Sequence, residues 1–158
     1  MKKSIAILLT LILTLSLSAT AFAAEIKQDS DPKTADVKVK TSIEPTYTVT
    51  IPSDIKVDFN AETTSFGAVT LNTAQIDPGY AVKVELNTDG TLENQADTTK
   101  TIAYTVNDAS GAAFAAAEYK NAGESTPLTI NITPDAWNAA FAGDYKDIVT
   151  FTVSYAEA

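Results

Sequence analysis

Apolar and polar side chains alternate with a period of two in several separate segments of this chain, and this pattern limits the folds that it can adopt. The alternating segments are residues 47–51, 55–59, 80–86, 102–106, 128–132 and 149–155. An α-helix needs apolar residues every three or four positions, whereas strict alternation is typical of β-strands that are covered on one face. The repeated alternation therefore predicts an all-β fold.

Turn-forming residues separate most of these segments. The clusters are Asp77-Pro78-Gly79, Asp89-Gly90, residues 107–111 and Ala142-Gly143-Asp144. Such residues supply the fixed or positive φ that a chain reversal needs. Thr133 followed by Pro134 has instead the composition of a helix start. Together these signals predict an immunoglobulin-like antiparallel β-sandwich of about seven to nine strands with one short helical turn.

The first 23 residues have the pattern of a signal peptide. Two lysines precede an apolar run at residues 5–17, and Ala21 and Ala23 have the spacing that signal peptidase requires. The apolar run is shorter than the roughly 20 residues that span a bilayer as a helix. We therefore predict that residues 1–23 are removed on export, that the mature protein is secreted, and that it keeps no stable membrane span.

The predicted mature chain has two parts, a polar N-terminal arm at residues 24–42 and the sandwich domain at residues 43–158. Within the arm, Val37 and Val39 alternate with lysines in the manner of a strand. In one interpretation the arm is the first edge strand of its own domain, guarded by its charges. In the other it pairs with the sheet edge of a neighbouring copy and produces a homo-oligomer.

The composition excludes several kinds of chemistry. The chain has no cysteine, histidine or arginine. Disulfides are therefore absent, an imidazole base is missing, and zinc ligation and the usual serine or cysteine hydrolase triads are not expected. Beyond the signal peptide, nine lysines face 20 acidic residues, a net charge of −11. Such a surface repels phosphate backbones, so nucleic acid is not an expected partner.

Carboxylates are the remaining acid–base groups. Asp144 and Asp147, or Asp54 and Asp58, could form a pair of the kind that glycosidases use. We interpret them instead as part of a solvated acidic face, because perturbed carboxylates require burial. Hairpin turns account for the oxygen-rich loops at residues 87–90 and 107–110 without calcium. We therefore predict no catalytic residue, cofactor or metal.

Four aromatic residues lie around the irregular segment of the chain and are the candidate ligand-binding residues: Phe114, Tyr119, Trp137 and Phe141. In one interpretation their rings form a platform that stacks on sugars. In the other they fill the core or rim of the sandwich, because tryptophan is buried on average.

Tyr145 has a structural interpretation. It follows the Gly143 turn at a predicted strand start, where its hydroxyl can reach back to a backbone group as in a tyrosine corner. This role stabilises the fold and involves no chemistry.

The C-terminal run Ala142-Gly143-Asp144-Tyr145-Lys146-Asp147, continued to Tyr155, resembles the last strand of spore-coat-U-like and fimbrial subunits, with their A-G-x-Y-x-D-x-V-T-x-T-V pattern. It also resembles the end of the WxL-type cell-wall-binding domain. Ile51-Pro52-Ser53-Asp54-Ile55 and Phe66-Gly67-Ala68-Val69 resemble the opening of that domain. At the positions of its two motifs this chain has Tyr80-Ala81-Val82 and Phe151-Thr152-Val153, without tryptophan. The resemblances imply a β-sandwich at the cell surface, with peptidoglycan binding in one family and donated strands in the other.

These patterns predict a secreted, non-catalytic β-sandwich that acts as a structural, adhesive or cell-wall-associated module. Its expected partners are cell-wall polysaccharide or other surface proteins. Two alternatives stay open at this point: a small carbohydrate-binding protein and a fibre subunit that donates a strand.

Overall fold

The structure is a computed structural model that describes residues 23–158. The predicted signal peptide, including Ala21, lies outside the described residues except for Ala23. A boundary between Thr41 and Ser42 divides the chain into two units. The N-terminal unit contains a turn in which the Lys27 amide donates to the Ser30 hydroxyl, and no strand is assigned to its described residues. The second unit contains all the strands described below.

Ten strands and one helix make up the second unit. They are β1 (Thr46–Thr50), β2 (Thr63–Gln75), β3 (Tyr80–Asn87), β4 (Thr91–Asn94), β5 (Thr101–Ala103), β6 (Thr105–Asp108), β7 (Ala116–Tyr119), β8 (Ser125–Asn131), α1 (Pro134–Ala139), β9 (Tyr145–Lys146) and β10 (Thr150–Glu157). All the pairings between strands are antiparallel.

The strands form three sheets, with the orders β1-β2-β8-β6, β10-β3-β7 and β5-β4-β9. The core consists of side chains that all three sheets contribute. Its most fully buried members are Val69, Leu71, Val82, Val84, Leu128 and Ile132. Shared burial of these apolar faces is the main favourable contribution to folding. The predicted all-β, sandwich-like fold is confirmed.

The third sheet continues the other two, because several strands change sheets at one level of the molecule. Only residues 88–90 separate β3 from β4, only Tyr104 separates β5 from β6, and only residues 147–149 separate β9 from β10. The interruptions raise the number of strands to ten, above the seven to nine that the sequence predicts.

Hydrogen bonds between side chains join these three breaks. The Tyr104 hydroxyl donates to a carboxylate oxygen of Asp147. The Thr88 hydroxyl lies 2.8 Å from the Tyr104 hydroxyl and 3.1 Å from the same carboxylate oxygen. We call these three residues the bend cluster. Because Tyr104 is only 6% exposed, the cluster fixes the breaks from inside the sandwich.

The predicted helical turn is confirmed as α1. Thr133 is its N-cap, with its side chain accepting a hydrogen bond from the Ala136 amide, and Pro134 is in its first turn. This satisfies one of the amide groups that a helix start leaves without a partner. Within residues 23–158, no helix is both long enough and apolar enough to cross a membrane.

Strand β2 is the longest strand and was not identified by alternation. Its core-facing residues Phe66, Val69 and Leu71 are spaced by three and then two positions. The pairing of β2 with β8 shifts register between Ser65 and Gly67, where Gly67 has a φ of 99°. This bulge inserts an extra residue and breaks the period of two.

The predicted strand at residues 55–59 is wrong, since no strand is assigned there. Val57 packs against the core, whereas Phe59 is 78% exposed. The strand-like part of the arm is also not a strand, and Val37 and Val39 are 82% and 93% exposed. Alternation describes a strand only where a neighbouring strand supplies its hydrogen bonds.

Replacement of Tyr104 with phenylalanine tests the bend cluster. We expect Tyr104→Phe to lower the free energy of unfolding by about 1–2 kcal/mol, because a nearly buried hydrogen-bonded group is lost and Asp147 loses a donor. Denaturant titration measures the effect. Tyr47→Phe is the matched control, since the Tyr47 hydroxyl has no hydrogen-bond partner among the described residues. Equal stability of the two variants would contradict the role of the cluster.

The stability should also fall at alkaline pH. Burial, followed by the hydrogen bond to Asp147, raises the pKa of the Tyr104 hydroxyl far above its ordinary value of 10.0. The unfolded chain therefore loses this proton first, so stability present below pH 10 declines as pH rises above that value. Tyr104→Phe should reduce this decline without removing it, because burial also raises the pKa of Tyr119. Denaturant titrations on both sides of pH 10 measure the difference.

Candidate functional site

The four predicted ligand-binding aromatic residues do not form one cluster. Phe114 and Tyr119 are 7% and 3% exposed and belong to the core. The Tyr119 hydroxyl donates to the Thr126 hydroxyl at 2.8 Å. Phe141 is exposed, with the Lys100 ammonium 4.9 Å from its ring centre. Of the four, Trp137 lines a cleft, the smaller of the two described below.

Trp137 is fixed by its own polar atom. It lies on α1, half-buried, and its indole N–H donates to the Ala61 carbonyl at 3.0 Å. Its ring makes a T-shaped contact with the Phe59 ring, with 5.6 Å between ring centres and an angle of 80° between planes. A buried tryptophan N–H normally finds such a partner. The bond ties α1 to the segment before β2 and leaves the Phe59 ring facing solvent.

Two open clefts are lined in part by residues of α1, and Trp137 lines the smaller one. The smaller, of about 190 Å³, is lined by Asn60, Glu62, Pro134, Trp137 and Asn138. The larger, of about 350 Å³, shares Glu62 and Pro134 of its lining with the smaller cleft. We call the smaller cleft together with the Phe59 ring the aromatic groove. The sequence did not indicate Phe59 or Glu62 as part of a site.

Tyr145 makes the hydrogen bonds that characterise a tyrosine corner. Its hydroxyl donates to the Phe141 carbonyl at 3.0 Å and accepts from the Phe141 amide at 3.1 Å. One phenol thus satisfies both backbone groups of a residue in the preceding turn. The aromatic ring of Tyr145 packs against the core.

A buried asparagine holds the same turn from the other side. Asn94 is 3% exposed, and its amide nitrogen donates to the Ala142 carbonyl at 3.4 Å. Its amide oxygen accepts from the backbone amides of Ala96 and Asp97. Gly143 packs directly on this side chain, since a Cβ there would lie 2.5 Å from the Asn94 amide nitrogen. A Cβ at residue 143 would therefore force the buried Asn94 side chain to move.

Three acidic residues, Asp89, Asp108 and Asp147, accept hydrogen bonds that stabilise the local structure around them. Asp147 accepts hydrogen bonds from the Tyr104 and Thr88 hydroxyls, the other members of the bend cluster, and from the Ile148 amide. Asp89 and Asp108 accept from amides and hydroxyls two residues further on, in Asx turns. The hydrogen bonds from Ser110 lower the pKa of Asp108. Among residues 23–158, no three acidic side chains are grouped in a way that could hold a metal ion.

Strands β1 and β10 meet along one side of the sandwich. Each of these is an edge strand of its sheet, and the Tyr47 ring stacks on the Tyr155 ring with 6.0 Å between centres. Val153 lies opposite the fully buried Val84, yet it is 38% exposed. Its core-facing side chain is therefore incompletely covered. We call Tyr47, Phe151, Val153 and Tyr155 the seam.

Comparison with protein-family models and with curated protein sequences finds no match to this chain. The resemblances to WxL-type and fimbrial proteins thus stay expectations from the sequence.

Replacement of Gly143 tests the packing around Asn94. We expect Gly143→Ala to lower the free energy of unfolding by about 2–3 kcal/mol, because the new Cβ displaces a buried, hydrogen-bonded side chain as well as straining the backbone. Gly79→Ala is the control. Gly79 also has a positive φ, but a Cβ there meets nothing within 4 Å. If thermal or denaturant unfolding shows equal losses, Asn94 yields freely and the steric requirement is wrong.

Proposed function

We propose that this chain is an exported, surface-associated, non-catalytic structural module whose N-terminal segment joins copies of the protein into assemblies. One observation carries the proposal: Val37 and Val39, at alternate positions of a segment in no strand, are almost fully exposed. Isolated exposed valines are ordinary. Two valines at alternate positions of an extended segment, however, have the pattern of a β-strand whose apolar face is buried on pairing.

The seam offers a partner for such a strand. The free edge of β10 carries backbone groups that pair with no other strand among the described residues. A strand added there would continue the sheet, and its alternate side chains would cover Val153 and its neighbours. This is recognition by β-augmentation, in which backbone hydrogen bonds supply affinity and alternate side chains supply specificity. The segment 34–41 has eight residues, the same length as β10.

The charges of the two parts are complementary. Residues 33–43 contain three lysines and one aspartate, a net charge of +2. Residues 42–158 contain five lysines and 16 acidic residues, a net charge of −11. The attraction favours the approach of a basic segment to the sandwich and opposes direct contact between two bare sandwiches.

Export supports a surface setting for these assemblies. The leader pattern at residues 1–23 predicts secretion, and a chain without cysteine relies on packing and ladder hydrogen bonds outside the cell. Additional strand pairing between copies suits that requirement.

Charged substitutions in the arm test assembly. Protein recovered after export from cells that express the full chain is analysed by sedimentation velocity over a range of concentrations. We expect the unmodified protein to form oligomers. The double variant Val37→Asp, Val39→Asp should be monomeric, because two buried unpaired carboxylates at the seam are costly. Ile26→Asp, an exposed apolar residue outside the alternating part of the arm, is the control and should leave the oligomers intact.

The acceptor side is tested separately. Val153→Asp should abolish the oligomers, whereas Ile148→Asp, at another exposed apolar residue, should not. Mixing the arm variant with the Val153→Asp variant should give heterodimers, because each then supplies the part that the other lacks. The proposal would be contradicted if the unmodified protein stayed monomeric at all concentrations. It would also be contradicted if oligomers survived both the double substitution in the arm and Val153→Asp.

A further inference from the structure

We infer that the aromatic groove is a binding site for a neutral glycan, seated against Phe59 and Trp137. This inference is independent of assembly through the seam, because it involves different residues and a different ligand.

The exposed Phe59 ring is the first part of the case. It is 78% exposed although it is large and apolar, and its T-shaped contact with Trp137 leaves most of the ring open to solvent. A single exposed apolar ring is ordinary, but this one adjoins a second aromatic ring that lines a cleft, and contiguous apolar patches along a groove mark interaction sites. The C–H face of a pyranose ring is itself apolar, so it covers an aromatic face while its hydroxyls stay near polar groups.

Polar side chains lie where those hydroxyls would be. The carboxylate of Glu62 and the amides of Asn60 and Asn138 line the cleft beside Trp137. Carboxylates accept two or more hydrogen bonds, and amides both donate and accept, which suits vicinal hydroxyl groups. At about 190 Å³, the cleft is smaller than sites for drug-sized ligands, so it fits one ring of a chain that continues into the larger cleft.

The groove is held in shape by bonds that do not depend on a ligand. The indole N–H of Trp137 is tied to Ala61, and the Ile132 amide donates to the Glu62 carbonyl at 3.0 Å. Asn60 has a φ of 62°, a left-handed conformation that asparagine adopts more readily than most residues. Its turn, closed by the Ala61 amide on the Asp58 carbonyl, keeps Phe59 at the surface. Such preorganisation reduces the entropy lost on binding.

The charge of the protein selects the class of glycan. With a net charge of −11 on residues 42–158 and Glu62 in the groove, phosphate-bearing and uronic-acid polymers are repelled. Neutral hexoses and N-acetylhexosamines carry no such penalty. The expected ligand is therefore a run of uncharged pyranose units.

Trp137 reports binding directly because it is the only tryptophan of the chain. The exported full-chain protein is titrated with short soluble oligomers of glucose, of N-acetylglucosamine and of galacturonic acid, and its tryptophan emission is recorded. We expect a saturable change with at least one of the two neutral oligomers and none with the anionic one. Calorimetry on the same samples gives the affinity without reference to fluorescence.

Variants assign the site. Phe59→Ala should weaken binding by about tenfold or more, because it removes the stacking surface. Glu62→Ala should weaken it by a similar factor through lost hydrogen bonds to a charged group. Phe141→Ala removes another exposed phenylalanine, 61% exposed against 78% for Phe59. Its ring lies under the Lys100 ammonium, whereas the Phe59 ring contacts Trp137 of the cleft, so this variant should leave the affinity unchanged. Circular dichroism checks that each variant is folded.

The outcomes separate this inference from the assembly proposal. Val153→Asp should bind the neutral oligomer with unchanged affinity, whether or not it is monomeric. Absence of binding to both neutral oligomers by calorimetry, preference for galacturonate, or equal losses with Phe59→Ala and Phe141→Ala would each overturn the inference.

Discussion

The hydrogen bonds among Tyr104, Thr88 and Asp147 hold the level at which the strands of this sandwich change sheets. A strand that leaves a ladder loses backbone partners, and such a loss is costly in a protein interior. Here the three breaks lie side by side. The nearly buried Tyr104 hydroxyl, at one break, contacts Thr88 and Asp147 at the other two. Ile102 and Val106, on either side of Tyr104, can therefore both be buried although they belong to different sheets. The core extends through the bend because this cluster spans it.

The sequence predicted the fold class because apolar alternation survives wherever a strand has one buried face and a regular ladder. It failed at β2, where the bulge between Ser65 and Gly67 changes the spacing of core residues. It failed in the opposite direction at residues 55–59, which alternate but pair with no strand. Alternation records which side chains can be buried together. It does not record whether another backbone lies alongside, and that depends on the tertiary structure.

The candidate site around Trp137 was predictable in part from the sequence. Trp137 stood out as the only tryptophan, next to a recognisable helix start, and the structure places it beside a cleft. Phe114 and Tyr119 were grouped with it because they are near in sequence, yet their rings belong to the core. Phe59 and Glu62 lie more than 70 residues before Trp137. They are brought to it by tertiary contacts, among them the Phe59–Trp137 ring contact and the Trp137–Ala61 hydrogen bond. Nothing in the local sequence reports a contact that is made at such a distance.

The run from Ala142 to Asp147 carries most of the resemblance that the sequence suggests to spore-coat-U-like, fimbrial and WxL-type proteins, and nearly every residue in it has a structural task. Ala142 accepts from Asn94, Gly143 makes room for it, Tyr145 ties down the turn, and Asp147 completes the bend cluster. A chain that needs this closing turn would require the same residue types whatever it binds. The run thus carries information about the fold rather than about a ligand. Specificity would then come from surfaces that the run does not constrain, and we propose the aromatic groove, the seam and the exposed arm for that role.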